Sequence, residues 1–306
     1  MKIPAEKIKI LAKNLGFDDC GIANILVEKK IIEFYKNWLK NNFNAEMKFL
    51  ENDVEKRFDP KLVFPKAKSV IIFILNYYSP NFSSKSYKIS KYAQGLDYHN
   101  IIKSKLKQFT EILKQDYSNF ETYEFCDTAP VLERYFAKQA GLGFIGKNRC
   151  LINPKFGSWI FIGGMFCNYE IVADSKLNLD CGNCDICLKS CPTGALSLKG
   201  LDARKCISYH TIENKAEIPE NIRNKITNQL FGCDICQNVC PFNKNPVQTS
   251  CAELLPQENI RELELKDIES ISNKEFARRY KNTSLLRTGR KKILNNFENI
   301  NRNRNK

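Results

Sequence analysis

The stretch CGNCDICLKSCPTGA, residues 181–195, sets four cysteines in the pattern Cys181-x2-Cys184-x2-Cys187-x3-Cys191-Pro192. Downstream the chain repeats the ending as Cys233-x2-Cys236-x3-Cys240-Pro241, with Cys206 between the two runs. Three thiolates at two-residue intervals can wrap three corners of an iron–sulfur cube. A fourth, held off by a helical turn and a proline, points to a second cube. That logic assigns Cys181, Cys184, Cys187 and Cys240 to one [4Fe–4S] cluster, and Cys191, Cys206, Cys233 and Cys236 to another. A zinc site built from Cys181, Cys184, Cys233 and Cys236 is the competing reading. Zinc leaves Cys187, Cys191 and Cys240 without a role and does not explain two Cys-Pro endings. No Cys-x3-Cys-x2-Cys occurs, which excludes a radical-SAM site. Two bridged cubes carry single electrons and do not select a substrate, so the remaining chemistry belongs elsewhere in the chain.

The chain has 306 residues, 43% of them hydrophobic, enough for one large or two modest domains. Its longest apolar stretch, SVIIFILNYY from Ser69, falls far short of the ~20 residues of a membrane span. The N-terminus alternates lysines with apolar residues at helical spacing and lacks the apolar centre of a secretory signal. These features predict a soluble cytoplasmic protein with no membrane partner. In such a chain, thirteen clustered cysteines point to metal binding before disulfides. The net charge is +14, and eleven basic residues against two acids lie between Ile271 and Lys306. A polyanionic partner or a solvated basic tail both account for that balance.

Periodicity divides the chain into three. Residues 1–172 read as an α/β domain: an amphipathic opening helix, a second helix around EKKIIEFYKNWLKNNF, a buried strand SVIIFIL, and a helix YHNIIKSKLKQFTEILKQDY. A strand TYEFC follows, then a helix opening at Pro130, and a strand SWIFIGGMFC kinked or bulged at Gly163 and Gly164. Residues 173–255 hold the clusters in a ferredoxin-like domain. Residues 256–306 form a short basic helical tail whose ending, ENINRNRNK, has little to bury and is expected to fray.

Three motifs of the first domain are candidates for chemistry. Gly141-x-Gly143-x-x-Gly146 matches the dinucleotide fingerprint but follows a helix instead of a strand, so it reads as a helix stop and tight loop. Asp97-x-His99 begins a cobalamin-ligating pattern whose glycine is replaced by Ile102; alone, His99 reads as a hydrogen-bonded helix-start residue. Asp127 follows a strand and precedes a helix. It is either a helix cap or a general acid at a strand end.

Together these pieces resemble the epoxyqueuosine reductase family. The matching stretches are KRFDPKLVFPKAKSVI, KYAQGLDYH, CDTAPVLERYFAKQAGLGFIGKN, FGSWIFIGG, the first cysteine run, KCISYHTIE and GCDICQNVCPFN, spanning most of residues 55–243 in order. The resemblance implies an N-terminal α/β domain binding cobalamin base-off, two [4Fe–4S] clusters as an electron wire, and removal of an epoxide oxygen from a modified tRNA base. It implies Asp127 as proton donor, with a pKa raised so that the acid is neutral, and Arg57, Asn148, Ser158 and Ser208 as cobalamin contacts. A low-potential electron donor must feed the clusters, and a monomer is expected. Longer family members carry C-terminal helical repeats that help hold tRNA. Here that region is short, which leaves Arg287, Arg290, Lys291 and Lys292 as phosphate contacts. The rivals are a cobalamin-dependent reductive dehalogenase, whose usual twin-arginine signal is missing, a ferredoxin-like electron carrier, and a tRNA-binding protein with structural clusters.

Overall fold

The computed structural model describes residues 3–80 and 87–304; Lys306 of the basic tail lies outside them. Four strands, β1 (Asp19–Asn24), β2 (Ser69–Asn76), β3 (Thr122–Phe125) and β4 (Ile160–Cys167), make the main sheet in the order β1-β2-β4-β3. Every neighbouring pair is antiparallel, so the mixed α and β elements surround an antiparallel sheet and not a doubly wound parallel one. All eight residues of β2 are buried. Its side chains alternate between two cores, as the period of two requires. Ile71, Phe73 and Leu75 meet helices α1 (Ala5–Asn14) and α3 (Tyr98–Asp116), whereas Val70, Ile72 and Ile74 meet α4 (Glu133–Gln139). The intervening helix α2 (Lys29–Lys40) reaches the cluster module through Trp38, which donates its indole N–H to the Leu201 carbonyl at 2.7 Å.

β4 pairs with β2 without interruption from Ile160 opposite Asn76 to Cys167 opposite Ser69. The bulge expected at Gly163 and Gly164 is absent. Both glycines instead make room: a Cβ on Gly163 would overlap Ile102 of α3, and one on Gly164 would strike the Phe125 ring. The fourth helix begins at Glu133, three residues beyond the expected Pro130, and no side chain caps it. Its far end is closed as expected by Gly141, at φ +74, with Leu142 N–H reaching back to the Ala137 carbonyl. The next glycine, Gly143, lets the chain cross hard against the Ile152 carbonyl and enter the short hairpin Phe144–Ile145/Leu151–Ile152.

A third core joins Tyr87, Ile89 and Ala93 to Ile207, Leu230 and Phe231, and to residues from Ile260 through Ile300. The expected fraying of the C-terminus is overturned here. Helix α5 (Arg290–Arg304) buries Ile293, Asn296, Phe297 and Ile300 on one stripe. Asn296 anchors it by donating to the carbonyls of Thr211 and Leu230, both at 2.9 Å. Among the described residues no helix is long and apolar enough to cross a membrane.

Candidate functional site

The two Cys-x2-Cys runs each lead into a one-turn helix, Ile186–Lys189 and Ile235–Asn238, and each helix ends at a Cys-Pro. These short helices pack against each other, which brings the runs together. All thirteen cysteines are unpaired. Cys181, Cys184, Cys187 and Cys240 line one cavity with Lys147, Asn148, Ile152, Pro241 and Phe242. Its volume of about 40 Å³ holds a compact group several waters in size, well beyond a bare ion. The thiols also group electrostatically. Burial raises Cys187, and the charges of Cys181, Cys240 and Cys184 add to it. Burial pushes Cys233 up to about 12, with Cys206, Asp234 and Cys191 contributing. Burial works against the Cys191 thiolate too, but the Thr193 hydroxyl and the N–H groups of Ala195, Thr193 and Leu196 outweigh it and draw the thiol down. Four thiols that repel one another as thiolates are what a cationic iron–sulfur core neutralises. The donor set therefore fits iron–sulfur clusters, with Cys181, Cys184, Cys187 and Cys240 around one cavity and Cys191 and Cys206 close enough to act on Cys233.

The module is clamped to the end of the sheet where β4 begins. Ser158 donates its backbone N–H to Asn243 Oδ1 at 2.8 Å, and Asn243 Nδ2 donates to Ser158 Oγ at 2.8 Å. Ser158 Oγ donates onward to Gln237 at 3.0 Å. Asn76 and Lys91 add bonds to Val247 and Asp234.

At the same end lies Asp127. Because β3 runs antiparallel to β4, with Phe125 opposite Gly164, the chain leaves β3 toward the start of β4. Asp127 takes a left-handed backbone, φ +60, where a non-glycine residue is uncommon. Two contacts hold it. Its N–H donates to Glu133 Oε1 at 2.5 Å, and its Oδ2 lies 3.4 Å from His99 Nε2. His99 is itself fixed. Its Nδ1 lies 2.7 Å from Asp97 Oδ1, and its ring stacks on Tyr98, which stacks on Phe161 of β4 with centroids 4.0 Å apart. Asp97 caps α3 by accepting the His99 N–H, so the helix-start reading of His99 holds, but its second nitrogen faces the catalytic candidate. The capping alternative for Asp127 fails, since α4 starts six residues later.

The protonation pattern differs from the expectation. The His99 hydrogen bond holds the Asp127 carboxyl below its ordinary value against the pull of burial, with the charges of His99, Arg287 and Arg134 assisting. Burial opposes charge on His99, yet its bonds to Asp127 and Asp97 prevail and raise it to about 9. Glu133 is the carboxyl pushed upward, to about 8, by burial and by the Asp127 charge. At neutral pH the proton therefore sits on either side of Asp127 and not on it. His99 and Glu133 were not singled out as catalytic by sequence; their separations of 28 and 6 residues from Asp127 follow no local pattern.

Of the residues expected at cobalamin, Arg57 keeps a buried Nε without a hydrogen-bond partner, as does Trp159 Nε1 beside Ser158. Asn148 lines the cluster cavity, Ser158 is engaged between the domains, and the Ser208 backbone N–H supports the Cys206 thiolate. Both nitrogens of His210 are engaged by Arg204 and Asn214, and both of His99 by aspartates, so neither histidine is free to ligate cobalt. The buried, unpartnered Arg57 Nε and Trp159 Nε1 are donors that a bound cobalamin would satisfy. The five remaining cysteines, Cys20, Cys126, Cys150, Cys167 and Cys251, are buried or half-buried, and burial raises the pKa of each.

Of the expected tRNA contacts, Arg287 pairs with Glu213 at 2.8 Å and lies close enough to Asp127 to act on its charge. Arg290 donates to the carbonyls of Ile268 and Glu269. Lys291 is exposed, and burial lowers Lys292 to about 8.

Two cysteine sets suited to iron–sulfur clusters, clamped against an acidic–imidazole corner, fit the class of iron–sulfur oxidoreductases. Sequence models match in two places: a 4Fe-4S double cluster binding domain over residues 180–243, and epoxyqueuosine reductase QueG over residues 57–128. The chain is 39% identical to the epoxyqueuosine reductase of Leadbetterella byssophila, covering 94% of this chain and 95% of that one. It is 41% identical to that of Cellulophaga algicola, covering 93% and 94%. The chain belongs to the epoxyqueuosine reductase family, whose cofactors are cobalamin and two [4Fe–4S] clusters. Among solved structures, an epoxyqueuosine reductase with an epoxyqueuosine-modified tRNA stem loop superposes with a TM-score of 0.88 at 31% identity, over 97% of this chain and 80% of that one. The Bacillus subtilis enzyme, captured with its catalytic aspartate loop swung out of the active site, gives 0.88 at 29% identity, over 97% and 81%.

Proposed function

We propose that this chain reduces epoxyqueuosine to queuosine at the wobble position of tRNA, with Asp127 as the residue that hands a proton to the departing oxygen. The observation that carries the reading is the corner itself: Asp127 held in a left-handed backbone between His99 and Glu133, at the sheet end to which the double-cluster module is clamped. Removing an epoxide oxygen as water consumes two electrons and two protons and leaves an alkene. Bound cobalamin, fed singly by the clusters, supplies the electron pair. The protons come from the chain. One is held on the His99 imidazole, which faces the Asp127 carboxylate, and one on the Glu133 carboxyl, which meets Asp127 at its backbone N–H. Asp127 relays the His99 proton to the alkoxide, with Asp97 stabilising the His99 charge, and Glu133 stores the proton that the leaving hydroxyl takes up.

Labour divides between a cobalamin-binding domain over residues 1–172, a cluster domain over 173–255 and a C-terminal segment over 256–306. Arg57, Ser158 and Ser208 lie around the cobalamin. Arg287, Arg290, Lys291 and Lys292 meet the tRNA backbone, Arg287 linking that surface to Asp127. The protein acts as a cytoplasmic monomer supplied by a low-potential electron donor. The test is turnover of epoxyqueuosine-containing tRNA by protein reconstituted with cobalamin, iron and sulfide under a chemical reductant. Asp127→Asn should retain both cofactors and lose turnover. An active, fully loaded Asp127→Asn protein removes Asp127 from the mechanism.

A further inference from the structure

Asn148 occupies the tip of the loop that the glycine motif makes possible. Gly146 N–H bonds the Cys150 carbonyl and Arg149 N–H returns to the Gly146 carbonyl, each at 2.9 Å, while Arg149 adopts φ +67. A Cβ on Gly146 would crowd both Asn148 Oδ1 and the Ile152 side chain, so the glycine is what lets Asn148 fold inward. Asn148 is only 5% exposed. Its Oδ1 accepts the Cys150 N–H at 3.1 Å, which fixes the amide's orientation, because the opposite one would set two donors against each other. That leaves Nδ2, buried and with no partner, on a residue that lines the cavity ringed by Cys181, Cys184, Cys187 and Cys240. A buried amide N–H without an acceptor is costly and calls for one. The neighbouring residue already behaves in this way: Lys147 N–H points at Cys181 Sγ at 3.4 Å, and Lys147 Nζ donates to the Gly182 and Cys184 carbonyls at 2.9 Å.

We propose that Asn148 donates its side-chain amide to sulfur of the [4Fe–4S] cluster held by Cys181, Cys184, Cys187 and Cys240, and so raises that cluster's reduction potential relative to its partner. Hydrogen bonds to cluster sulfur offset the negative charge gained on reduction and favour the reduced form. The loop Gly146–Cys150 is then a tuning element for that cube. The inference rests on the two-cluster reading, and the two fail separately: iron and sulfide content tests the clusters, whereas the midpoints test the amide.

The experiment is an anaerobic redox titration of the full chain loaded with both clusters and cobalamin, followed by electron paramagnetic resonance. Asn148→Asp keeps the acceptor for Cys150 N–H and replaces the donor by a carboxylate oxygen. One cluster midpoint should move negative, with about a tenfold fall in its reduced-to-oxidised ratio at the wild-type midpoint (~59 mV for a one-electron couple). The other should stay in place. Asn148→Ala, which adds no charge, is titrated alongside and should move the same midpoint in the same direction; a shift seen with aspartate alone would overturn the proposal, since the new charge by itself lowers the midpoint. Unchanged midpoints in a loaded variant would overturn the proposal. So would a shift confined to the cluster that Cys206→Ser removes, or an altered cobalt signal with both cluster midpoints intact.

Discussion

Replacing Glu133 by glutamine separates the charge of this side chain from its hydrogen bond. The amide oxygen can still accept the Asp127 N–H that holds the left-handed turn, whereas the titrating proton is gone. Glu133 moves from 4.5 to about 8 on folding, through burial first and the neighbouring Asp127 charge second, with Arg134 and His99 pulling the other way. A raised carboxyl means that the folded state binds a proton which the unfolded chain releases. Its stabilising contribution is complete below pH 4.5 and is lost as the pH rises through about 8. At ~1.4 kcal/mol per unit, the full displacement corresponds to a ceiling of ~5 kcal/mol, and screening at a half-buried residue brings the expectation to ~2–3 kcal/mol. His99 acts in the same direction: raised from 6.5 to about 9, it supports the fold below 6.5 and ceases to above about 9. Wild type should therefore lose stability steadily from pH 5 toward pH 9. Glu133→Gln should match it at the acid end and melt roughly 5 °C higher at the alkaline end. Thermal melts of the cluster-loaded protein across that range measure the difference directly. Parallel melting curves for the two proteins would refute a proton held on Glu133. Turnover supplies a second readout, since the variant has one stored proton fewer and its rate should fall at neutral pH while cofactor content is unchanged.

Cys206→Ser should remove one cluster's worth of iron and sulfide and leave the signal of the cluster bound by Cys181, Cys184, Cys187 and Cys240; loss of both or of neither contradicts the partition. Truncation after Leu286 is a poor test of tRNA binding, because it strips Ile293, Phe297 and Ile300 from a shared core. Lys291→Gln is the cleaner perturbation: at this exposed position it should weaken tRNA binding and flatten the dependence of log affinity on log salt by about one unit. An unchanged salt slope takes Lys291 off the RNA surface.

What could be read from the sequence was what chain length constrains. A thiolate two residues from another has few places to go, so the cysteine runs announce cubes, and the Cys-Pro endings predict that Cys191 and Cys240 each cross to the neighbouring one. The buried strand Ser69–Asn76 was equally plain, yet its partners were not: a strand apolar on both faces looks the same in a parallel sheet and in the antiparallel sheet it actually joins. Gly163 and Gly164 suggested a bulge because a missing side chain carries no record of what fills its space, here Ile102 and a phenylalanine ring. The C-terminal helix looked too polar to dock, although Ile293, Phe297 and Ile300 follow helical spacing, because one narrow stripe suffices when asparagine side chains take up buried carbonyls. The active corner shows the limit most clearly. Asp127 could be picked out as a carboxylate at a strand end, but its protonation could not, because that depends on His99 and Glu133, which reach it only through the fold. An acid expected to be neutral is instead held ionised by His99, and in the proposed mechanism an ionised carboxylate can take the imidazole's proton and pass it on, where a neutral one could give only its own.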